Sequence, residues 1–371
     1  MDPRVQRMAE VLVNYSIAVE AGDWVVIQSP LAGEPLAVEC VRAVLKAGGH
    51  PTTLYSSEDG QRVILAEGSD EQLSFVPPFF TVLIERADAT IAVLAPTNTR
   101  ALSTLDPRRM ALQQKSMEPL MDTFMRRSAS GELRWTGGQF PTHAAAQDAG
   151  MSLREYEDFV YDAGLLNEPD PALAWKQLGE RQARIIDWLK DRRMVHVTGP
   201  GTDLRVSVAG RTWENDDGHK NFPGGEVFTG PVEDSAQGVI QFTFPAYLAG
   251  REVSGVRLVF EAGRVVEATA TGDEAFLHQM LDMDEGARRL GELAFGTNPG
   301  IQRFSKNTLF DEKIGGTLHM ALGRSYPETG GRNVSALHWD MVYDLRDGAE
   351  VRVDDQLFSK NGEIESEVFS L

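Results

Sequence analysis

The first part of the chain alternates between helical and strand-like hydrophobic patterns. An amphipathic helix is predicted where apolar residues recur at three- and four-residue steps: Val5, Met8, Val11, Leu12 and Tyr15. Short apolar runs then predict strands at 24–28, 52–55 and 89–93, and helices are predicted between them, at 35–47 and 80–86. Helices that alternate with short buried strands are typical of an α/β domain with a largely parallel, layered sheet.

Helical patterns dominate the next segment. Further helices are predicted at 107–127, 152–163 and 171–189, with a possible strand at 133–136. The helix that ends near Leu189 leads out of the first domain. A chain of 371 residues exceeds what one hydrophobic core usually covers, so two domains are the default expectation.

Beyond Asp191 the pattern changes to short strands joined by glycine turns. Strands are predicted at 194–197, 203–208, 239–244, 256–260 and 264–270, and short helical stretches at 272–283 and 284–290. This part is expected to be a mixed, mostly antiparallel α+β domain. The predicted domains are therefore an N-terminal α/β domain over residues 1–189 and a C-terminal domain over residues 190–371.

The composition of the chain indicates which classes of binding partner and which cellular location to expect. The net charge of −19 disfavours nucleic acid or an anionic membrane as the main partner, and it is compatible with metal cations or a substrate that carries an amino group. No apolar run is long enough to span a membrane. A single cysteine, Cys40, excludes an intrachain disulfide framework, and no apolar signal segment follows Met1. We therefore expect a cytoplasmic protein.

Chemically useful residues cluster between Asn221 and Asp340. Five short segments place carboxylates or imidazoles among glycines and apolar residues: 224–229, 291–298, 309–313, 318–326 and 335–340. They contain the candidate ligands Glu226, Glu292, Glu312, His319, His338 and Asp340. This set of nitrogen and oxygen donors lacks a thiolate, and it suits hard or borderline divalent ions such as Zn, Co, Mn or Mg.

Each candidate also has an ordinary structural explanation. Glu226 and Glu312 could be solvated turn residues, and Glu292, placed where a helix is predicted to end, could be a surface acid. His319 is a lone imidazole in an apolar, strand-like run between glycines. Alternation along a strand puts His338 and Asp340 on one face, which suits either a ligand pair or a hydrogen-bonded structural pair. The hypothesis of a metal site depends on the whole set.

These segments resemble the thermophilic aminopeptidase family, the M29 metallopeptidases, and the likeness covers essentially the whole chain. It includes Val11-Leu12-Val13-Asn14-Tyr15-Ser16 and Val197-Thr198-Gly199-Pro200-Gly201-Thr202-Asp203-Leu204. The resemblance implies a co-catalytic pair of divalent ions held by the six ligands, an active-site role for Tyr326, and a homodimer. It also gives Glu292 the role of the ligand that bridges the two ions.

The resulting hypothesis is an aminopeptidase that releases the N-terminal residue of peptides. Two ions would lower the pKa of a shared water and polarise the scissile carbonyl, and Tyr326 would donate a hydrogen bond to the developing oxyanion. Glu226 is the candidate for carrying a proton to the leaving amine. The alternatives are a nucleotide- or sugar-binding α/β protein with a structural metal ion, and an inactive scaffold. The chain has no phosphate-binding glycine loop, which argues against the first alternative. The second alternative does not explain why the ligand set is complete.

Overall fold

A computed structural model describes residues 2–248 and 250–369 of the chain. The helices are α1 (Pro3–Val11), α2 (Glu34–Ala47), α3 (Glu58–Glu67), α4 (Asp70–Leu73), α5 (Pro78–Arg86), α6 (Pro107–Ala129), α7 (His143–Asp148), α8 (Leu153–Ala163), α9 (Pro171–Leu189), α10 (Glu274–Leu281) and α11 (Thr308–Asp311). The strands are β1 (Trp24–Pro30), β2 (His50–Ser56), β3 (Ala89–Leu94), β4 (Arg134–Gln139), β5 (Met194–Gly199), β6 (Thr202–Ser207), β7 (Glu214–Asp216), β8 (Asn221–Phe222), β9 (Glu226–Thr229), β10 (Gln237–Gln241), β11 (Ala246–Leu248), β12 (Arg251–Val253), β13 (Arg257–Glu261), β14 (Arg264–Thr269), β15 (Leu290–Gly296), β16 (Thr317–Gly323), β17 (His338–Asp344), β18 (Glu350–Val353), β19 (Gln356–Lys360) and β20 (Glu363–Ile364). Among the described residues, no helix combines the length and apolar character needed to cross a membrane.

The chain divides into two compact units. The first comprises residues 1–174 and 218–223, and the second comprises residues 175–217 and 224–371. The division falls earlier in the chain than Leu189, where we predicted the domain boundary, so most of α9 belongs to the second unit. Buried Ile185 and Leu189 on this helix join the core of the second unit.

The first unit is the predicted α/β domain. Its sheet has the order β2-β1-β3-β4-β8, and every pairing within it is parallel. Val25, Val26 and Ile27 of β1 are fully buried, as expected for a strand in a parallel sheet that is covered on both faces. Cys40 is buried in α2, as its apolar surroundings predict.

The second unit contains two larger antiparallel sheets and one hairpin. One sheet has the order β14-β13-β10-β6-β5-β18-β19-β20, the other the order β17-β16-β15-β9-β7, and β11 pairs with β12. A single hydrophobic cluster includes residues of both larger sheets, among them Val197, Leu204, Leu293 and Met320. The predicted mixed, mostly antiparallel domain is thus confirmed.

One element was predicted wrongly. Residues 284–290 were expected to be helical, but only a short 3-10 turn forms there, over Gly286–Arg288, and Leu290 already begins β15. Glu292 therefore lies in a strand and not at a helix end. Pairing of β15 with β16 on one side and with β9 on the other stabilises the extended conformation, and these partners are distant in sequence.

A glycine allows the start of β15 to approach its neighbour closely. The β15–β16 register shifts between Leu290 and Glu292, and Gly291 lies at that irregularity. A Cβ atom at position 291 would overlap the backbone carbonyl oxygens of Gly323 and Arg324. Glycine is therefore needed here because backbone atoms occupy the space that a side chain would take.

We predict that Gly291→Ala destabilises the protein by about 1–3 kcal/mol, because the new methyl group must push two backbone segments apart. Urea unfolding of both proteins measures the change. Gly272→Ala is the matched control, since its Cβ would lie 3.6 Å from the nearest atom, the Cβ of Ser254. Equal stability of the two variants would contradict the close approach at Gly291.

Candidate metal centre

The five-stranded sheet of the second unit has one apolar face and one polar face. Side chains alternate across each strand, and one set enters the hydrophobic core: Val227, Leu293, Phe295, Leu318, Met320, Leu322, Trp339, Met341 and Tyr343. The intervening positions lie on the opposite face, and they include Asp216, Glu226, Glu292, His319, His338 and Asp340. Strand alternation thus gathers five of the six predicted ligands on one surface.

Small residues separate these polar side chains. Ala321 lies opposite both Glu292 and Asp340 in the neighbouring strands. Ala294 lies opposite His319, Gly323 opposite His338, and Gly296 opposite Glu226. Because cross-strand neighbours on one face come within about 4.5–5.5 Å, an alanine or glycine beside each ligand leaves room above the sheet.

Glu292 lies between the two imidazoles. Its Oε1 is 3.5 Å from Nε2 of His319, and its Oε2 is 3.3 Å from Nε2 of His338. Glu226 Oε2 lies 3.4 Å from His319 Nε2, and Asp340 Oδ1 lies 3.4 Å from His338 Nε2. The two carboxylate oxygens of Glu292 therefore face two different clusters of donors.

Both imidazoles are held by the same arrangement. Nδ1 of His319 donates to the backbone carbonyl of Glu312 at 3.0 Å, and Nδ1 of His338 donates to that of Arg324 at 2.8 Å. A carbonyl can only accept, so the proton of each neutral ring is assigned to Nδ1 and the lone pair to Nε2. Fixing the tautomer in this way is typical of histidines that bind a metal through the other nitrogen.

Glu312 joins the five ligands of the sheet from outside it, and the six side chains together form the ligand cluster. It follows α11, and its side chain is mostly buried, with 15% exposure. Oxygens of Glu226 and Glu312 and a nitrogen of His319 lie within 4.8 Å of one another, and so do the corresponding atoms of Glu292, His319 and Asp340. His319 is common to both groups. The structure thus brings all six predicted ligands to one place.

Two members of the cluster were not predicted from the sequence. Lys313 is fully buried, and its Nζ lies 3.3 Å from Glu226 Oε1 and 3.5 Å from Asp216 Oδ2. It also contacts Glu312 directly. Asp216 reaches the cluster because β7 pairs with β9, where it lies opposite Glu226. The one available sequence signal was the position of Lys313 between apolar Phe310 and Ile314, both fully buried.

Tyr326 lies at the edge of the cluster, in the segment that connects β16 with β17. Its hydroxyl is 3.5 Å from His338 Nε2, and its ring contacts Phe228 edge-on, with 5.5 Å between the ring centres. The residue is 37% exposed. Partial burial is the main cause that raises the pKa of its phenol, and the negative charges of Glu292 and Asp340 add to the rise. The hydroxyl therefore keeps its proton and can donate a hydrogen bond.

The carboxylates differ in their affinity for protons. Burial raises the pKa of Glu226 well above its usual range, against the opposing effect of Lys313, and Glu312 adds to the rise. Burial acts on Glu292 in the same sense, but its contacts with His319 and His338 outweigh it and lower the pKa to about 2. Glu292 is thus the permanent anion of the cluster, and Glu226 is the acid best able to take up a proton.

The residues fit a divalent cation. Among the described residues, four buried atoms in the cluster have no hydrogen-bond partner: Asp216 Oδ2, Glu226 Oε2, His319 Nε2 and Asp340 Oδ1. Buried polar atoms without hydrogen-bond partners are costly, and a bound cation would satisfy the carboxylate oxygens and the deprotonated Nε2. Carboxylate oxygens together with imidazole nitrogens are ligands that zinc and its neighbours accept.

A small cavity lies beside two of these ligands. Glu312 and Asp340 contribute to its wall, together with Tyr247, Phe304 and Val342. The ring of Phe304 stacks on that of Phe244, with 4.8 Å between their centres. Charged side chains, including Lys306 and Asp311, line the cavity together with the apolar ones.

The comparison with known families decides between the remaining hypotheses. The sequence profile of the M29 peptidase family, described as thermophilic metalloprotease (M29), matches residues 1–363. The chain belongs to the M29 metallopeptidase family. Aminopeptidase 2 of Geobacillus stearothermophilus is 26% identical over 352 residues, which cover 88% of this chain and 84% of that protein. Aminopeptidase T of Thermus thermophilus is 29% identical over 355 residues, which cover 87% and 85%.

Solved structures place this M29 chain in the same fold. Wild-type AmpT from Thermus thermophilus matches with a TM-score of 0.84 and 25% identity, covering 98% of this chain and 99% of that one. A 2,5-dihydroxypyridine dioxygenase from Pseudomonas putida KT2440 has a TM-score of 0.61 at 14% identity, covering 99% and 98%. The second likeness concerns the fold alone, since such a fold can support unrelated chemistry.

These findings confirm the predicted family and the predicted enzyme class, a metallopeptidase. Membership of the M29 family implies a divalent metal. The matched relatives are named aminopeptidases, and nothing in the comparisons supports the alternative of a nucleotide- or sugar-binding protein.

We predict that metal binding at neutral pH releases protons from the ligands. Burial lowers the pKa of each imidazole, but the carboxylates around them dominate and raise it, to about 10 for His319 and about 11 for His338. Both rings are therefore protonated in the metal-free chain, and a metal must displace those protons from Nε2. Metal affinity consequently falls as the pH falls. Calorimetric titration in buffers of different ionisation enthalpy counts the protons, and a heat independent of the buffer would contradict the assignment.

Proposed function

We propose that this chain is a metal-dependent aminopeptidase that removes the N-terminal residue of peptides with two divalent ions. The observation that carries the proposal is the pair of imidazoles, each anchored through Nδ1 to a backbone carbonyl and each facing Glu292 through Nε2. Two such donors on either side of one carboxylate suit two adjacent cations. The names of the M29 relatives support the exopeptidase activity.

In this proposal the ligands form two groups. Glu226, Glu312 and His319 would hold one ion, His338 and Asp340 would hold the other, and Glu292 would contribute to both. Zn, Co, Mn and Mg are the candidate ions. When bound, the ions supply Lewis-acid chemistry: they polarise a peptide carbonyl and make water a better nucleophile at neutral pH.

The remaining steps belong to the protein's own residues. Tyr326 donates a hydrogen bond to the carbonyl oxygen as negative charge develops on it, because its raised pKa keeps the phenol protonated. Glu226 moves the proton to the departing amine through a carboxylate oxygen that is not saturated by metal. In the metal-free chain, burial raises the pKa of this carboxyl. Glu292 is unsuited to that task because its pKa is lowered to about 2.

The negative charges of the site favour a substrate with a positively charged end. Carboxylates of the cluster attract the free α-ammonium group of a peptide, and the cavity beside Glu312 and Asp340 gives access from one side. A net charge of −19 disfavours nucleic acid and anionic membranes as partners. A cytoplasmic location and a homodimer complete the proposal; the homodimer follows the family resemblance.

We predict metal-dependent hydrolysis that needs a free amino terminus. The purified chain should cleave aminoacyl-nitroanilides and short peptides, lose activity to a chelator, and regain it with one or more of Zn, Co, Mn and Mg. The same peptides with an acetylated N-terminus are the matched control, because acetylation removes the charge that the acidic cluster attracts. Cleavage of acetylated and free peptides at similar rates would contradict the exopeptidase proposal.

We predict that Tyr326→Phe retains its metal and loses mainly kcat, by about 10²–10³-fold, which corresponds to about 2.7–4 kcal/mol for one oxyanion donor. Phenylalanine preserves the ring contact with Phe228, so the segment should keep its structure. Steady-state kinetics and elemental analysis of the variant provide the measurement. An unchanged kcat would make Tyr326 a packing residue.

We predict that Glu292→Gln weakens the binding of both ions together. Glutamine keeps the shape of the side chain but removes the shared anion that offsets the repulsion between two cations. Asp340→Asn is the matched control, since the ion pair of Asp340 is with His338 at 3.4 Å and its loss should weaken chiefly one ion. Metal titration of the two variants makes the comparison. If Glu292→Gln bound two equivalents with native affinity, the bridging ligand would have to be another residue.

A further inference from the structure

Lys313 is a lysine that lies within the ligand cluster. It is fully buried, and its Nζ contacts carboxylates from three separate segments: Asp216 in β7, Glu226 in β9 and Glu312 after α11. Two of these carboxylates, Glu226 and Glu312, are metal ligands in the proposed function. The lysine therefore shares its carboxylate partners with the proposed metal.

Burial of the Lys313 ammonium group costs free energy unless nearby anions offset that cost. Moving an ammonium group out of water costs several kcal/mol, and only well-placed anions offset that cost. The three carboxylates likewise need a nearby cation, because without Lys313 they would repel one another in the metal-free chain. Lys313 is fully buried, where apolar side chains are the usual occupants, so burial alone does not account for a charge at this position.

We propose that Lys313 is a built-in counter-cation that holds the ligand cluster together before metal arrives and weakens the affinity of the cluster for metal. In the metal-free chain its charge draws Asp216, Glu226 and Glu312 together. Once a divalent ion is present, the same charge repels it. The residue thus stabilises the metal-free state more than the metal-bound state. This inference rests on the proposed metal site and assigns a positioning role, with no contact to substrate.

The test compares Lys313→Met with the unchanged protein, each with and without metal. Methionine has nearly the volume of lysine and no charge. We expect the unfolding temperature of the metal-free variant to fall by roughly 5–10 °C, and that of the metal-bound variant to fall clearly less. Equilibrium dialysis should show metal binding that is tighter by about tenfold or more. The two readouts must agree, because they are sides of one thermodynamic cycle.

Three further variants make the result specific. Lys313→Arg keeps the charge and should behave like the unchanged protein in the difference between metal-free and metal-bound stability. Lys176→Met removes a charge from an exposed position of α9 and should change neither readout. The double variant Lys313→Met with Asp216→Asn removes one charge of each sign, and it should recover much of the metal-free stability lost in Lys313→Met. The double variant also provides a folded protein if the single variant does not fold without metal.

The outcomes separate this inference from the proposed function. Equal losses of stability with and without metal, and unchanged metal affinity, would overturn the role of Lys313 and leave the proposed function in place. Weaker metal binding in Lys313→Met would also overturn it, because the lysine would then support the metal-bound state. If the unchanged protein bound no divalent ion at all, the proposed function itself would fail.

Discussion

The structure depends on compensating the negative charge of several buried carboxylates that lie close together. Asp216, Glu226 and Glu292 are almost inaccessible to solvent, and Glu312 and Asp340 are largely covered. Buried charges of one sign are tolerated only beside compensating cations. The chain provides Lys313 and two imidazoles, and the proposed function adds divalent ions. Burial raises the pKa of Glu226, the two imidazoles lower that of Glu292, and the carboxylates raise those of His319 and His338.

Strand alternation makes such a cluster compatible with a stable domain. One face of the five-stranded sheet contributes to the hydrophobic core, and the other face carries the ligands between alanines and glycines. A dioxygenase with the same fold indicates that this scaffold does not determine the reaction, so the function must be argued from the side chains on that face.

Local sequence patterns predicted the elements better than the assembly of the site. The apolar run between glycines identified the strand that carries His319, and alternation correctly placed His338 and Asp340 on one face. Glu292 was assigned to the wrong kind of element, because its strand is stabilised by partners distant in sequence. Asp216 and Lys313 were missed for a related reason. Each looks like an ordinary charged residue until β7 pairs with β9 and the turn after α11 folds onto the sheet.

The most direct test of the central claim is a crystal structure of the metal-loaded protein with anomalous scattering measured at the absorption edge of the bound metal. The account predicts two adjacent peaks that both contact Glu292, one beside His319 and the other beside His338. It also predicts that Lys313 remains outside the coordination of both ions. A single peak, or two peaks without Glu292 between them, would contradict the two-ion site. No peak in an active enzyme would contradict the metal-based account altogether.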